Sequence, residues 1–131
     1  MGRRVVLDAS VLIAVLDAGD PRHVAARSEL AGRSGDELLV PASAYSEMLV
    51  HPCRLGRDTT AEAERFVQEL PAGVVPVDSV IARRAAEIRA RRSGVTLGDA
   101  LVLASGDALD AALVLTADAS WPKISRRARV I

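Results

Sequence analysis

Four carboxylates, Asp8, Glu47, Asp99 and Asp118, lie at or beside the ends of short apolar runs that are far apart along the chain. Asp8 closes Val5-Val6-Leu7, and Asp118 comes three residues after Leu113-Val114-Leu115. Asp99 opens an apolar helical stretch, and Glu47 sits in the helical stretch that follows Leu38-Leu39-Val40. In an α/β fold the carboxyl ends of parallel strands line one crevice, so acids from four separate segments can meet there. Two such carboxylates about 5 Å apart at an effective dielectric near 20 repel by roughly 3 kcal/mol. Four acids contain several such pairs, so without a cation some protons are retained and the titrations are coupled. Mg²⁺ or Mn²⁺ relieves the repulsion, because hard cations prefer oxygen ligands and keep waters that can be activated as nucleophiles.

Each acid also has a plainer use. Asp8 can cap the helix beginning near Ser10. Asp99 is a first-turn acid favourably placed against a helix dipole, and Asp118 suits an ordinary turn. Glu47 has mostly apolar neighbours, Tyr45, Met48, Leu49 and Val50, where an unpaired Glu is rarely buried. It must reach solvent or serve a site. The four together ask for more than four separate coincidences, since all fall on one rim of the sheet that the pattern predicts.

That sheet follows from the order of elements. Arg4 to Leu7 reads as a buried strand, continuous and β-branched rather than alternating. A helix is expected over Ser10 to Asp17, ended by Gly19, and a second from Asp20-Pro21 to about Leu30, with Asp as cap and Pro at the first helical position. Glu37 to Val40 is a second strand. A third helix begins at Pro41-Ala42-Ser43 and ends near Pro52, and Gly56 with Asp58-Thr59-Thr60 separates it from a fourth that stops before Pro71. Gly73 to Val77 is a third strand, and Asp78 or Ser79 caps a fifth helix whose Ile81, Ala85 and Ile88 form the inner face. Leu97 to about Leu109 is a sixth helix, apolar nearly all round. Leu113 to Leu115 and Ala128 to Ile131 complete the strands. Strands alternating with helices imply a three-layer α/β/α fold with a central parallel sheet of four to five strands, and residues 1–131 read as one domain.

Composition limits the alternatives. Half of the 131 residues are apolar but only three are aromatic, so the core must be Ala, Val and Leu. Seventeen basic and seventeen acidic residues cancel, so no global field draws the chain to nucleic acid or membrane. Cys53 is alone, which excludes an internal disulfide and a Cys-based zinc site and suits a reducing cytoplasm. Arg3-Arg4 before Val5–Leu16 imitates a signal peptide, but Asp8 interrupts the stretch, and no run reaches the length of a membrane span. Sixteen of the basic residues are Arg. Arg83, Arg84, Arg91 and Arg92 read first as a solvated helical face. Arg89, nearest the apolar stripe, is the candidate RNA contact of the set. Asp107 and Asp110 read as solvated acids, His23 and His51 as surface or helix-end residues, and Trp121-Pro122 as packing for the last loop.

Val-Val-Leu-Asp-Ala-Ser at 5–10, Ser-Glu at 46–47, Leu-Gly-Asp-Ala-Leu-Val-Leu-Ala at 97–104 and Leu-Thr-Ala-Asp-x-x-Trp at 115–121 resemble, in order and spacing, the PIN-domain family. More narrowly they resemble the VapC-type ribonuclease toxins of type II toxin–antitoxin pairs. The resemblance implies a five-stranded parallel sheet and a metal-dependent endoribonuclease that hydrolyses RNA phosphodiester bonds through a water activated by Mg²⁺, with Mn²⁺ able to substitute. It maps the family's acidic quartet onto Asp8, Glu47, Asp99 and Asp118, and its small polar positions onto Ser10 and Thr116. Asp8 and Asp99 would then bind the principal ion, with Glu47 and Asp118 acting directly, through water, or on a second ion. It further implies an RNA substrate, a small antitoxin over apolar grooves between the early helices, a homodimer, and a higher hetero-oligomer with the antitoxin. Ser105-Gly106-Asp107 departs from the family's more apolar helix, and Gly there costs about 1 kcal/mol of helix propensity.

Three other readings compete. A haloacid-dehalogenase-like phosphatase also starts with a strand ending in Asp, but it wants a second Asp where Ser10 stands, and a catalytic Lys for which Lys123 is the only candidate. A receiver-type signalling domain lacks its early acidic pair here. A non-catalytic PIN-like scaffold working through protein contacts is the third.

Overall fold

The computed structural model describes residues 2–131. Its elements run β1 (Arg4–Leu7), α1 (Ala9–Leu16), α2 (His23–Ala31), β2 (Glu37–Pro41), α3 (Ala42–Leu55), α4 (Arg57–Glu69), β3 (Ala72–Val75), α5 (Ser79–Arg91), α6 (Leu97–Ala108), β4 (Leu113–Thr116), a 3₁₀ turn at Trp121–Lys123, and β5 (Ala128–Val130). The five strands form one parallel sheet in the order β3-β2-β1-β4-β5, between helical layers. β1 lies at the centre, with Val5 opposite Leu38 on one side and Leu113 on the other. That placement explains its unbroken Val-Val-Leu, because both faces and both edges are covered. Val5, Val6 and Leu7 are fully buried with Leu12, Leu38, Met48, Leu103 and Leu115.

The chain leaves β1 toward β2 and β3, then crosses back to lay β4 on β1's other side. This reversal opens a crevice at the carboxyl ends of β1 and β4. The β1–β4 ladder runs one residue past β1, through the Asp8 amide to the Leu115 carbonyl at 2.9 Å. α6 packs on β1, β2 and β4, which accounts for its apolar circumference. Among the described residues no helix is long and apolar enough to cross a membrane.

Several element ends differ from their sequence expectation. α2 starts at His23 rather than Pro21, because Asp20 Oδ1 accepts from the Arg22 amide in a local turn instead of capping the helix. α3 continues through Pro52 to Leu55, and the break comes at Gly56, whose φ of 130° few side chains tolerate. α4 begins directly after it, so Asp58-Thr59-Thr60 is helical, with the Thr60 hydroxyl donating to the Gly56 carbonyl. β3 spans 72–75 rather than 73–77. Asp78 does cap α5, accepting from the Ile81 amide.

α6 runs on through Ser105-Gly106-Asp107. The Ser105 hydroxyl donates to the Leu101 carbonyl, and a Cβ at residue 106 would collide with Val114 of β4. Glycine there lets the helix lie close on the sheet, and that packing offsets its poor propensity. Asp107 and Asp110 are not simply solvated either. Asp107 accepts from Arg84 Nε at 2.8 Å and Arg127 Nε at 3.3 Å, and Asp110 pairs with Arg127 Nη2 at 3.2 Å. Cys53 is exposed.

Candidate active site

Asp8 follows the central strand directly and is only 6 % exposed. A carboxylate is expensive to bury, and two hydroxyls meet this one on the same oxygen. Ser10 Oγ donates to Oδ2 at 2.7 Å, and Thr116 Oγ1, from the end of β4, donates to it at 2.9 Å. Both hydroxyls are themselves held. Ser10 Oγ accepts from the Ala117 amide at 2.9 Å, and Thr116 Oγ1 accepts from the Asp118 amide at 3.1 Å. One network therefore ties the ends of β1 and β4 across the crevice, and Ser10 and Thr116 fix the orientation of Asp8. Asp8 sits in the N-cap position of α1 but accepts no capping hydrogen bond, so its side chain is free of the plainer role open to it.

Asp118 extends from the same β4 end. Its Oδ1 accepts from the Ser120 amide at 2.9 Å and the Ser120 hydroxyl at 2.6 Å, a turn that aims the exposed carboxylate. Asp99 stands in the first turn of α6. Its amide donates to the capping hydroxyl of Thr96 at 3.2 Å, so this segment serves the helix end as well as the crevice. Glu47 reaches over from α3, and its carboxylate lies against Gly98, immediately before Asp99. A Cβ at residue 98 would strike Glu47 Oε1. Gly98 is thus part of the site by what it lacks. Sequence reading gave it no role, although its place next to an acid in Leu-Gly-Asp-Ala was the available signal.

The four acids feel one another. Burial pushes the Asp8 carboxyl up more than Ser10 and Thr116 draw it down, and Asp118 adds to the rise. Glu47 is raised by burial first, then by Asp8 and Asp99. Asp99 is raised by burial, then by Asp8 and Asp118, against donors from Thr96 and Trp121. Asp118 goes the other way, held down by the Ser120 hydroxyl and amide. Among the described residues none of the four pairs with an Arg or Lys, whereas Glu29, Asp36, Asp107 and Asp110 all do. Nor do any three Asp, Glu, His or Cys side chains among the described residues close tightly enough to hold a metal ion as they stand. The carboxylates share the crevice, and charge on one neighbour raises the carboxyl of another.

Other residues singled out in the sequence lie elsewhere. Arg89 donates through Nε to the Val95 carbonyl at 3.3 Å and borders a shallow cleft with Ala82, Ala86 and Leu97. His23 contacts the Ala14 carbonyl through Nδ1, and His51 is exposed on α3 one turn beyond Glu47. Trp121 is 1 % exposed, which removes its face from base stacking, and its indole lies beside Asp99 and Asp118.

A sequence model of the PIN domain matches residues 5–127. The chain belongs to the PIN domain family. No curated protein sequence matches it. Among solved structures, this PIN domain is similar to Mycobacterium tuberculosis VapC20, a toxin that cleaves the sarcin-ricin loop, at TM-score 0.78 and 19 % identity over 91 % of this chain and 93 % of that one. It is similar to VapBC2 of Rickettsia felis, solved on a fragment of promoter DNA, at TM-score 0.77 and 9 % identity over 97 % and 98 %. FitAcB of Neisseria gonorrhoeae matches at TM-score 0.70 and 18 % identity over 97 % and 96 %. At these identities the likeness establishes the shared fold.

Proposed function

We propose that this PIN domain, residues 1–131 as one unit, is a divalent-metal-dependent endoribonuclease and the toxin of a toxin–antitoxin pair. The observation that carries the reading is Asp8. It is a buried carboxylate at the central strand end, held by hydroxyls from both sides of the crevice, with no cationic partner among the described residues and three further acids around it. An all-oxygen donor set with no Lys or Arg already neutralising it suits a hard cation, Mg²⁺ or in its place Mn²⁺. Asp8 and Asp99 would hold the principal ion, with Glu47 and Asp118 ligating it directly, through water, or binding a second. When bound, such an ion supplies positive charge against the phosphoryl oxygens and makes an attacking water more acidic.

The protein's own side chains supply the rest. Ser10 and Thr116 keep Asp8 oriented, so no side-chain reorganisation is needed when charge shifts at the phosphate. Asp118, whose carboxyl is held low by Ser120, stays ionised at the open end and can receive a hydrogen bond from water in the crevice. Thr96 and Trp121 do the same orienting work for Asp99. Hydrolysis in this arrangement leaves a 5′ phosphate and needs no histidine.

An antitoxin partner is supported by a groove of about 530 Å³ between α1, α3 and α4. Ile13, Leu16 and Leu55 stand 39 %, 38 % and 62 % exposed along it, over buried Met48, and Glu47 also lines it. An amphipathic helix fits such a surface, and a cation it carried would reach Glu47. The neighbours solved as toxin–antitoxin complexes favour the same assignment, and the reading carries with it a homodimer, a larger complex with the antitoxin, and a cytoplasmic setting.

RNA cleavage measured with Mn²⁺, with EDTA, and with Asp99→Asn tests the reading. Cleavage should need the metal and fall at least about 100-fold in the variant. Metal-independent cleavage, or full activity of Asp99→Asn, would contradict it, as would phosphatase activity without RNA cleavage.

A further inference from the structure

α5 carries arginines on two sides. Arg89 lies on the side of Ala82 and Ala86, but Arg84, Arg91 and Arg92 line a different cleft, walled opposite by Ile124. This cleft, about 290 Å³, joins a second of about 340 Å³ that shares Arg84, Ile88 and Ile124 and ends at Arg126 and Arg127. Together they make one groove between α5 and the segment from Trp121 to Arg127.

We propose that this arginine groove binds the sugar-phosphate backbone of single-stranded RNA, extending the candidate active site along α5. The inference rests on the nuclease reading and adds where the strand lies. Three observations support it. The first is charge. The whole chain is formally neutral, yet five arginines border this groove against one carboxylate inside it, Asp107, with Glu87 3.6 Å from Arg84 at its edge. Asp107 is shared by Arg84 and Arg127 and fixes both guanidinium groups, with Arg127 also tied to Asp110 and the Ala111 carbonyl, so these two form the groove's anchored end. Among the described residues Arg91, Arg92 and Arg126 pair with no acid, and phosphate is what such forks suit.

The second is position. Arg92 Nη2 donates to the Lys123 carbonyl at 3.1 Å, two residues past Trp121, whose indole lies beside Asp99 and Asp118. The loop that forms one wall of the groove is thus the same loop that reaches the acids, and the proposed strand runs from the crevice along it. The third is the wall. Ile88 and Ile124 offer a narrow apolar strip to ribose and base, too little surface for a protein helix to bury a hot-spot side chain.

The test is fluorescence anisotropy of a labelled single-stranded RNA against Asp99→Asn protein in Mg²⁺, with and without Arg91→Ala plus Arg92→Ala, over a range of salt. Steady-state cleavage by the otherwise unaltered chain runs alongside. Binding should weaken at least about tenfold, and the slope of log K against log salt should drop by about 0.7 for each phosphate contact removed. KM should rise while kcat stays within about twofold, and Arg91→Lys with Arg92→Lys should recover most of the affinity. Arg126→Glu, in an exposed loop, gives the same comparison should the double variant fold poorly. Folded variants with unchanged affinity and salt slope, from a chain that does cleave RNA, would overturn the groove assignment. So would lost binding to a protein partner with RNA binding intact. A chain that never cleaves RNA would instead remove the nuclease reading on which the groove depends.

Discussion

The two ends of α6 handle acids in opposite ways. At its carboxyl end Asp107 is gripped by Arg84 and Arg127, and Asp110 by Arg127. At its amino end Asp99 joins Asp8, Glu47 and Asp118 with hydroxyls, amides and an indole for company but, among the described residues, no cationic side chain. A third acidic group, Glu29 and Asp36, sandwiches the buried Arg33 and so follows the first pattern. Where carboxylates are clustered to serve the fold, this chain supplies arginine. Where it supplies none, the acids are set against one another, three of them with raised carboxyl pKa values. Removing a partnered charge should therefore cost stability, and removing one from the crevice should not.

The largest expected effect of that contrast is on melting temperature. Asp107→Asn removes the charge that Arg84 and Arg127 share, leaving them Glu87 and Asp110, and at this partial exposure should cost about 0.5–1 kcal/mol, lowering Tm by roughly 2–5 °C for a domain of this size. Asp99→Asn in EDTA should leave Tm unchanged or slightly raised, because it relieves repulsion and keeps the amide bond to Thr96. A large loss in the metal-free Asp99→Asn protein would reduce Asp99 to a structural cap and dissolve the contrast.

A smaller effect concerns pH. For Asp8, Glu47 and Asp99 the folded pKa lies above the ordinary value. The folded state then holds more protons than the unfolded one between the two values. Stability of the metal-free protein must fall as pH rises from the ordinary carboxylate range through the raised values. Asp118, lowered, acts in the other sense, adding stability above its unfolded pKa that is lost as pH falls through its folded value. It is one exposed group against three. Thermal melts in EDTA should show a Tm a few degrees higher near pH 5 than near pH 7.5, and Mg²⁺ should shrink the difference by stabilising the ionised acids. A metal-free Tm that climbs steadily between these two values would mean the crevice acids are not strained by one another.

The contrast also marks what could be read before the structure. β1's continuous apolar run, Asp78 as a cap, and the alternation of strands and helices are local or periodic signals, and the chain obeyed them. Asp8, Asp99 and Asp118 drew notice because each lies at or just past a strand or helix end, which sequence does mark, whereas Glu47, mid-way along α3, stood out only as an acid among apolar neighbours. Asp107 looked equally exposed on paper. Its partners are 23 and 20 residues away, and only the packing of α5 and the final loop on α6 brings Arg84 and Arg127 to it. For the same reason Gly98 was given no role, and Gly106 read only as a cost to helix propensity. Their value lies in the space they leave, for Glu47 in one case and Val114 in the other. Pro52 looked like a stop, yet α3 carries it one turn further before Gly56 ends the helix.

The most direct measurement is a crystal soaked in Mn²⁺ and examined by anomalous diffraction. A peak bounded by the Asp8 and Asp99 carboxylates, with Glu47 or Asp118 turned toward it, is the expected result. A crevice without a peak at saturating Mn²⁺, or an ion bound only to acids outside it, would contradict the proposal that these four carboxylates form a cation site.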